Sequence, residues 1–234
     1  MGLFSRKKSF RDSGLFEGFT DWHSHILPGV DDGIKTLEES LEVLKEYESL
    51  GIKKVWLTPH VMEDYPNTSE DLKERFSALQ RAYSGGIELA LASENMLDSL
   101  FAERLENNDF LPIGDSRDHL LIETSYYTPP YGMQDMMYGA RAKGYHLILA
   151  HPERYRYMDK NDYLKLKAEG VKFQVNLLSL VGSYGETAEK KAKWMLKENI
   201  ADVFGTDIHH LLNFLTGINK ETEAINRLKN LTKY

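Results

Sequence analysis

The 234-residue sequence predicts an α/β fold, a single closed or nearly closed barrel of parallel strands wrapped by helices. Three observations carry this expectation. Short apolar runs rich in Val, Ile, Leu and aromatic residues alternate seven times with longer stretches of helical periodicity. Strand–helix units in that order call for parallel strands joined by crossover helices. No repeat, low-complexity segment or Gly/Ser linker divides the chain, so one barrel uses its length better than two domains.

The apolar runs are 19–26, 54–59, 87–94, 119–124, 145–151, 171–177 and 201–206. The first helix is read from Leu37, Leu41, Leu44 and Tyr47. Thr36 is its N-cap, Glu39 completes a capping box, and Gly51 stops it. Further helical patterns cover 69–83, 97–107, 133–143, 160–169, 185–198 and 220–231, with Gly144 and Gly170 where helices should end. Residues 1–17 read as a basic arm ahead of the domain at 18–234, carrying Arg6, Lys7, Lys8 and Arg11. No apolar stretch follows those charges, so the arm is not a secretory signal. Gly2 suggests myristoylation, but Arg6 stands where that motif needs Ser or Thr. With Leu3, Phe4 and Phe10 the arm is a candidate for peripheral contact with an anionic membrane, although a loose tail is the plainer reading. A cytoplasmic location is expected, since no run approaches the roughly 20 apolar residues of a membrane span.

Composition removes several chemistries. The chain has no cysteine, which excludes a thiol nucleophile, a thiolate metal site and a disulfide framework. Any metal must sit among nitrogen and oxygen ligands. A net charge of -7 argues against general nucleic-acid binding.

The strand ends carry the chemistry. The first ends in Asp21-Trp22-His23-Ser24-His25 and the second in Thr58-Pro59-His60. The third, fourth and fifth end at Glu94, Glu123 and His151, and the seventh in Asp207-Ile208-His209. The sixth ends near Asn176, a poorer ligand. In a parallel barrel these ends share one face, so residues far apart in sequence converge. Period-two alternation puts His23 and His25, and likewise Asp207 and His209, on the same side of the chain. Taken singly, His60 also fits a structural histidine, and Glu94 and Glu123 fit buried salt-bridge partners; taken together the set reads as a metal centre. Asp31-Asp32-Gly33 is either a simple turn or, through Asp32, a bridging ligand. His119 and His146 read as structural, and His210 as a rim residue.

These residues, with His151-Pro152-Glu153-Arg154-Tyr155, resemble the PHP (polymerase and histidinol phosphatase) superfamily. Within it, the sequence is similar to the bacterial metal-dependent tyrosine-protein phosphatases of capsule and exopolysaccharide loci (the CpsB/YwqE type). The resemblance runs from about Gly18 onward. It implies a distorted (β/α)7 TIM-like barrel and three divalent ions, with manganese favoured and iron or zinc the alternatives. Carried over, the implied ligands are His23, His25, Asp32, His60, Glu94, Glu123, His151, Asp207 and His209. The sequence departs from the pattern at Asn95, where relatives usually have Tyr, and after His209, where many have an Arg. His210 is the candidate substitute.

The resemblance implies hydrolysis of phosphotyrosine by a metal-activated hydroxide, without a phospho-enzyme. The partner is then a tyrosine-phosphorylated protein, such as the Tyr-rich tail of a bacterial tyrosine autokinase. Arg154 and His210 are the catalytic candidates, with Arg154 also clamping phosphate through its planar fork. Tyr126, Tyr127 and Tyr131 are candidates for a rim that stacks the substrate ring, or else a Pro-rich loop packed on itself. Two further readings remain: another PHP phosphoesterase, acting for example on histidinol phosphate, and a catalytically weak metal-binding scaffold.

Overall fold

The computed structural model describes residues 7–231. Strands β2 (Thr20–Ser24), β3 (Lys54–Leu57) and β5 (Glu88–Leu91) form one parallel sheet. A second parallel sheet has the order β10 (Val203–Gly205), β9 (Lys172–Asn176), β8 (His146–Ala150), β7 (His119–Glu123), β6 (Glu94–Met96) and β4 (His60–Val61). The chain passes from β3 to β4 across Thr58-Pro59 and from β5 to β6 across Ala92-Ser93, so two of the expected strands are interrupted. Proline lacks the N–H a continuous ladder needs, which accounts for the first break. The sheets curl toward each other: Asp207 N donates to His23 O at 2.8 Å, and a parallel bridge joins Ser24 to Ile208.

The expected helices are α2 (Leu37–Leu50), α3 (Ser69–Ala82), α4 (Ser99–Asn107), α5 (Met133–Ala142), α6 (Lys160–Ala168) and α7 (Glu186–Glu198). The capping box of Thr36 and Glu39 is present, and Gly51 ends α2 with a left-handed φ of 88°. Two regions differ from expectation. Helix α8 (Leu211–Ile218) follows β10 directly. It is only eight residues long, with few polar positions (Asn213 and Thr216) to mark its exposed side; Phe214, Gly217 and Ile218 bury against the body. The pattern read over 220–231 is a short strand, β11 (Glu221–Thr222), followed by α9 (Ile225–Leu231).

The N-terminal arm differs from expectation as well. Strand β1 (Lys8–Ser9) pairs antiparallel with β11, and a single helical turn, α1 (Phe10–Ser13), follows. Phe10, Leu15 and Phe16 are buried, and the Phe16 ring meets Phe19 and Phe214 at 5.8 and 6.2 Å. Residues 8–17 are therefore packed into the body, because three large apolar side chains gain more by burial than a loose tail allows. Gly2, Leu3, Phe4 and Arg6, on which the membrane and myristoylation readings turned, lie outside the described residues. Among the described residues no helix is long and apolar enough to cross a membrane.

The curled sheet separates two apolar clusters. One face packs Leu120, Ile122, Leu147, Leu149, Phe173 and Val175 against the helices. The other encloses a small plug of Trp56, Ala90, Ala92, Ile113, Leu121, Ile148 and Ala150. Alternation then places Glu94 on the plug side two residues beyond Ala92, and Glu123 two beyond Leu121. The apolar plug is the floor on which the strand-end polar residues stand.

Candidate metal centre and active site

All nine sequence-predicted ligands come together at the C-terminal strand ends. They fall into four overlapping groups: His25, Asp32, His60 and His209; His23, His25 and Asp207; His23, Glu94 and His151; and His60, Glu94 and Glu123. Within each group the candidate ligand atoms lie within 4.8 Å of one another. Glu94 is central: its Oε2 is 3.1 Å from His23 Nε2 and 3.0 Å from His60 Nδ1, and its Oε1 is 2.8 Å from His151 Nε2. His60 faces Glu123 through Nδ1 at 2.9 Å and Asp32 through Nε2 at 3.5 Å.

Backbone geometry delivers these side chains. β2 shifts register against β3 between Asp21 and Ser24, which carries His23 and His25 over the plug. His151 and Asp207 both have left-handed backbones, with φ of 31° and 53°. Non-glycine residues held there cost about 1–3 kcal/mol each, a strain typical of functional sites. Gly205 must remain small, because a Cβ there would lie 2.6 Å from His23 Cβ. Asp21, though part of the first motif, is a brace. It accepts from Thr206 N at 2.8 Å, Thr206 Oγ1 at 2.7 Å and Tyr47 Oη at 2.8 Å, tying β2 to the end of β10. Burial outweighs these bonds and pushes its pKa up to about 6.

The donors fit divalent cations. His23 Nδ1–H donates to Gln174 Oε1 at 2.8 Å and His25 Nδ1–H to Asp31 Oδ2 at 2.7 Å. In the neutral imidazoles that this pairing favours, both Nε2 atoms present lone pairs, and they stand 3.1 Å apart. Such a pair repels unless a positive charge lies beside it. His60 Nδ1, Glu94 Oε2 and Glu123 Oε1 are buried and make no hydrogen bond despite their proximity, as expected of ligand atoms aimed at common centres. The electrostatics agree. Burial raises the Glu94 and Asp207 carboxyls, yet the surrounding imidazoles hold both well below the carboxylate range. Burial and His25 lower His60, but Glu94 and Glu123 prevail and push it up to about 10. A site that favours positive charge so strongly, with only nitrogen and oxygen donors, suits manganese, iron(II) or zinc.

Arg154 borders the cluster. Its Nη1 donates to Asp207 Oδ2 at 2.8 Å, and the guanidinium lies between the rings of Tyr126 and Tyr184, 4.4 Å from each. Arg154, Tyr184, Asp32, Asp207, His209 and His210 line one cavity of about 610 Å³. Of the three tyrosines singled out in the sequence, only Tyr126 is held against the site. Tyr127 is 65% exposed and stacks under Arg156, while Tyr131 is fully exposed.

Residues 19–230 match the family model described as capsular polysaccharide synthesis, CpsB/CapC. The chain belongs to the CpsB/CapC family. It is 32% identical over 199 residues to CapC of Staphylococcus aureus, covering 82% of this chain and 78% of that one. It is 27% identical over 197 residues to the tyrosine-protein phosphatase YwqE of Bacillus subtilis, covering 82% and 77%. It superposes with a TM-score of 0.78 and 24% identity on a crystal structure from the pair YwqE of Bacillus subtilis and CpsB of Streptococcus pneumoniae, described as metal-dependent tyrosine phosphatases. The match covers 90% of this chain and 86% of that one, and shows a shared fold.

Within this CpsB/CapC chain sequence reasoning missed Gln174 and Tyr184 and the roles of Asp31 and Asn176. Asp31 and Gln174 orient two imidazoles, Asn176, read from sequence only as a poorer ligand at the sixth strand end, donates through Nδ2 to Asp207 Oδ2 at 2.7 Å, and Tyr184 brackets Arg154. Gln174 lies two residues before Asn176 on the same strand, which is the signal that could have found it. Asn95, the departure beside Glu94, is buried; its Nδ2 donates to Leu121 O and its Oδ1 accepts from Arg104 Nη1, at 2.9 and 2.7 Å. It stitches β6 to β7 behind the site.

Proposed function

We propose that this protein is a metal-dependent protein-tyrosine phosphatase of capsule or exopolysaccharide synthesis. The observation that carries the reading is the convergence of five imidazoles and four carboxylates beside a cavity bordered by Arg154. Family membership supports it, as does the naming of the Bacillus relative as a tyrosine-protein phosphatase. The nine residues would hold three divalent ions, manganese foremost, and the curled sheet reads as the distorted (β/α)7 barrel of the PHP superfamily. In support, the Ser24–Ile208 bridge links the two sheets at β2 and the residues after β10.

Bound divalent ions supply positive charge against phosphoryl oxygens and make a water acidic enough to attack near neutral pH. The chain supplies the rest. Arg154, fixed by Asp207 and two flat rings, offers its remaining N–H donors to phosphate oxygens, and that rigidity limits the entropy lost on binding. Tyr126 and Tyr184 present aromatic surface where a phosphotyrosine ring would enter. His210, exposed on the cavity wall, is the candidate proposed to hold phosphate or pass a proton to the departing phenolate. With no cysteine in the chain, direct attack by water is the route that leaves no thiol-linked phosphate. The partner is a tyrosine-phosphorylated protein, a bacterial tyrosine autokinase with a Tyr-rich tail being the specific proposal. Such kinases draw on ATP, and a cytoplasmic location is part of the same proposal.

The test is phosphate release by protein stripped of metal and then refilled with manganese. Phosphotyrosine peptide, phosphoserine peptide and histidinol phosphate are compared. Turnover of phosphotyrosine peptide only after refilling is expected. Preference for histidinol phosphate would favour another PHP phosphoesterase, and saturating metal without turnover would favour a scaffold.

A further inference from the structure

We propose that the outer half of the cavity is a peptide subsite selecting substrates with an acidic residue near the phosphotyrosine, and that Lys220 is the residue that reads it. This rests on the phosphotyrosine reading above. The cavity, about 610 Å³, is in the range that takes a whole ligand rather than one side chain. Its inner end is the cluster edge, with Asp32, Arg154, Asp207 and His209. Its outer wall is His210, Asn213, Gly217 and Lys220, spaced by three, four and three residues along one face of α8 and the turn after it.

Charge decides what fits there. Asp32 and Asp207 are the only carboxylates lining the cavity, and both belong to the cluster. The outer half carries only His210 and Lys220 as titratable groups, on a chain whose net charge is -7. Lys220 is exposed, and among the described residues it makes no ion pair. The eight residues of α8 rise about 12 Å, and Lys220 lies in the turn just beyond its C-terminal end. An extended peptide advances about 3.4 Å per residue, so the wall spans about four residues. A peptide with its phosphotyrosine at the cluster would bring a side chain about four positions away to Lys220, where a carboxylate finds an unpaired ammonium.

The experiment uses the manganese-loaded full chain and a phosphotyrosine peptide on an alanine background. A single Glu, and in a second series a single Lys, is walked from five residues before the phosphotyrosine to five after. One exposed ion pair is worth up to about fivefold in kcat/KM. We expect Glu at one position about four residues away to raise kcat/KM by up to that factor, and Lys there to lower it. Lys220→Glu should invert this preference and Lys220→Met erase it. Equal rates for all peptides, or an unchanged preference in Lys220→Glu, would overturn the subsite while leaving phosphotyrosine hydrolysis intact. Turnover of no peptide at all would overturn the phosphotyrosine reading and the subsite with it.

Discussion

Replacing Asp31 by Asn tests how the centre is held together without removing a proposed ligand. Asp31 Oδ2 accepts from His25 Nδ1 at 2.7 Å and from His60 N at 2.9 Å, and Oδ1 accepts from Gly33 N at 2.9 Å. Asparagine keeps the shape but replaces one oxygen with an NH2 donor. If that donor faces His25, the imidazole must move its proton to Nε2. That atom faces His23, Glu94 and Asp207 at 3.1, 3.4 and 3.3 Å, so the ligand lone pair is lost. If it faces Gly33 instead, two N–H donors oppose each other in a buried site, costing about 1–3 kcal/mol. Loss of such an orienting partner typically weakens metal binding about 10–100-fold, or about 1.4–2.8 kcal/mol. Manganese affinity is measured by competition with a chelating indicator, with circular dichroism confirming the fold. An Asp31→Asn protein that binds manganese within twofold of wild type would refute the claim that Asp31 sets the His25 tautomer.

Other perturbations separate the remaining roles. Arg154→Lys keeps the charge but loses the fork held between two rings, so kcat/KM on a phosphotyrosine peptide should fall about 100-fold; a loss under threefold would show that a point charge suffices. Tyr126→Ala removes one face of that bracket, worth about 1 kcal/mol, and should cost several-fold in kcat/KM. Tyr131→Ala, at a fully exposed position, should cost less than twofold. Phe10→Ala should lower the melting temperature by about 6–20 °C, since emptying a buried aromatic site costs about 3–5 kcal/mol. A shift below about 2 °C would show that residues 8–17 are a loose arm after all.

The site was more legible than the packing around it. Strand side chains alternate with a fixed period of two, so Asp21-x-His23-x-His25 and Asp207-x-His209 declare shared faces without knowledge of the fold. Parallel topology then makes distant strand ends neighbours, which is why Glu94, Glu123 and His151 were identified from sequence. What escaped depends on tertiary contact. Helix α8 is only eight residues long, too short for the polar side of Asn213 and Thr216 to announce a period; it is defined by Phe214 and Ile218 entering the core and by Gly217 lying against Leu178. Phe10 and Phe16 look like any aromatics in a basic tail until Phe19 and Phe214 supply their partners. Tyr184 lies in a Gly-Ser-Tyr-Gly loop with no chemical signature, and only the approach of Arg154 gives it a role. Tyr127 and Tyr131, by contrast, promised a rim on composition alone, and the loop turns them to solvent.

The central claim is that nine side chains from distant strand ends form one divalent-metal centre. Crystals grown with manganese and measured on both sides of its absorption edge test it most directly. Three anomalous peaks are predicted, lying about 2.1 Å from nitrogen and oxygen atoms of His23, His25, Asp32, His60, Glu94, Glu123, His151, Asp207 and His209. Manganese peaks found only elsewhere, in protein that still hydrolyses phosphotyrosine, would contradict it.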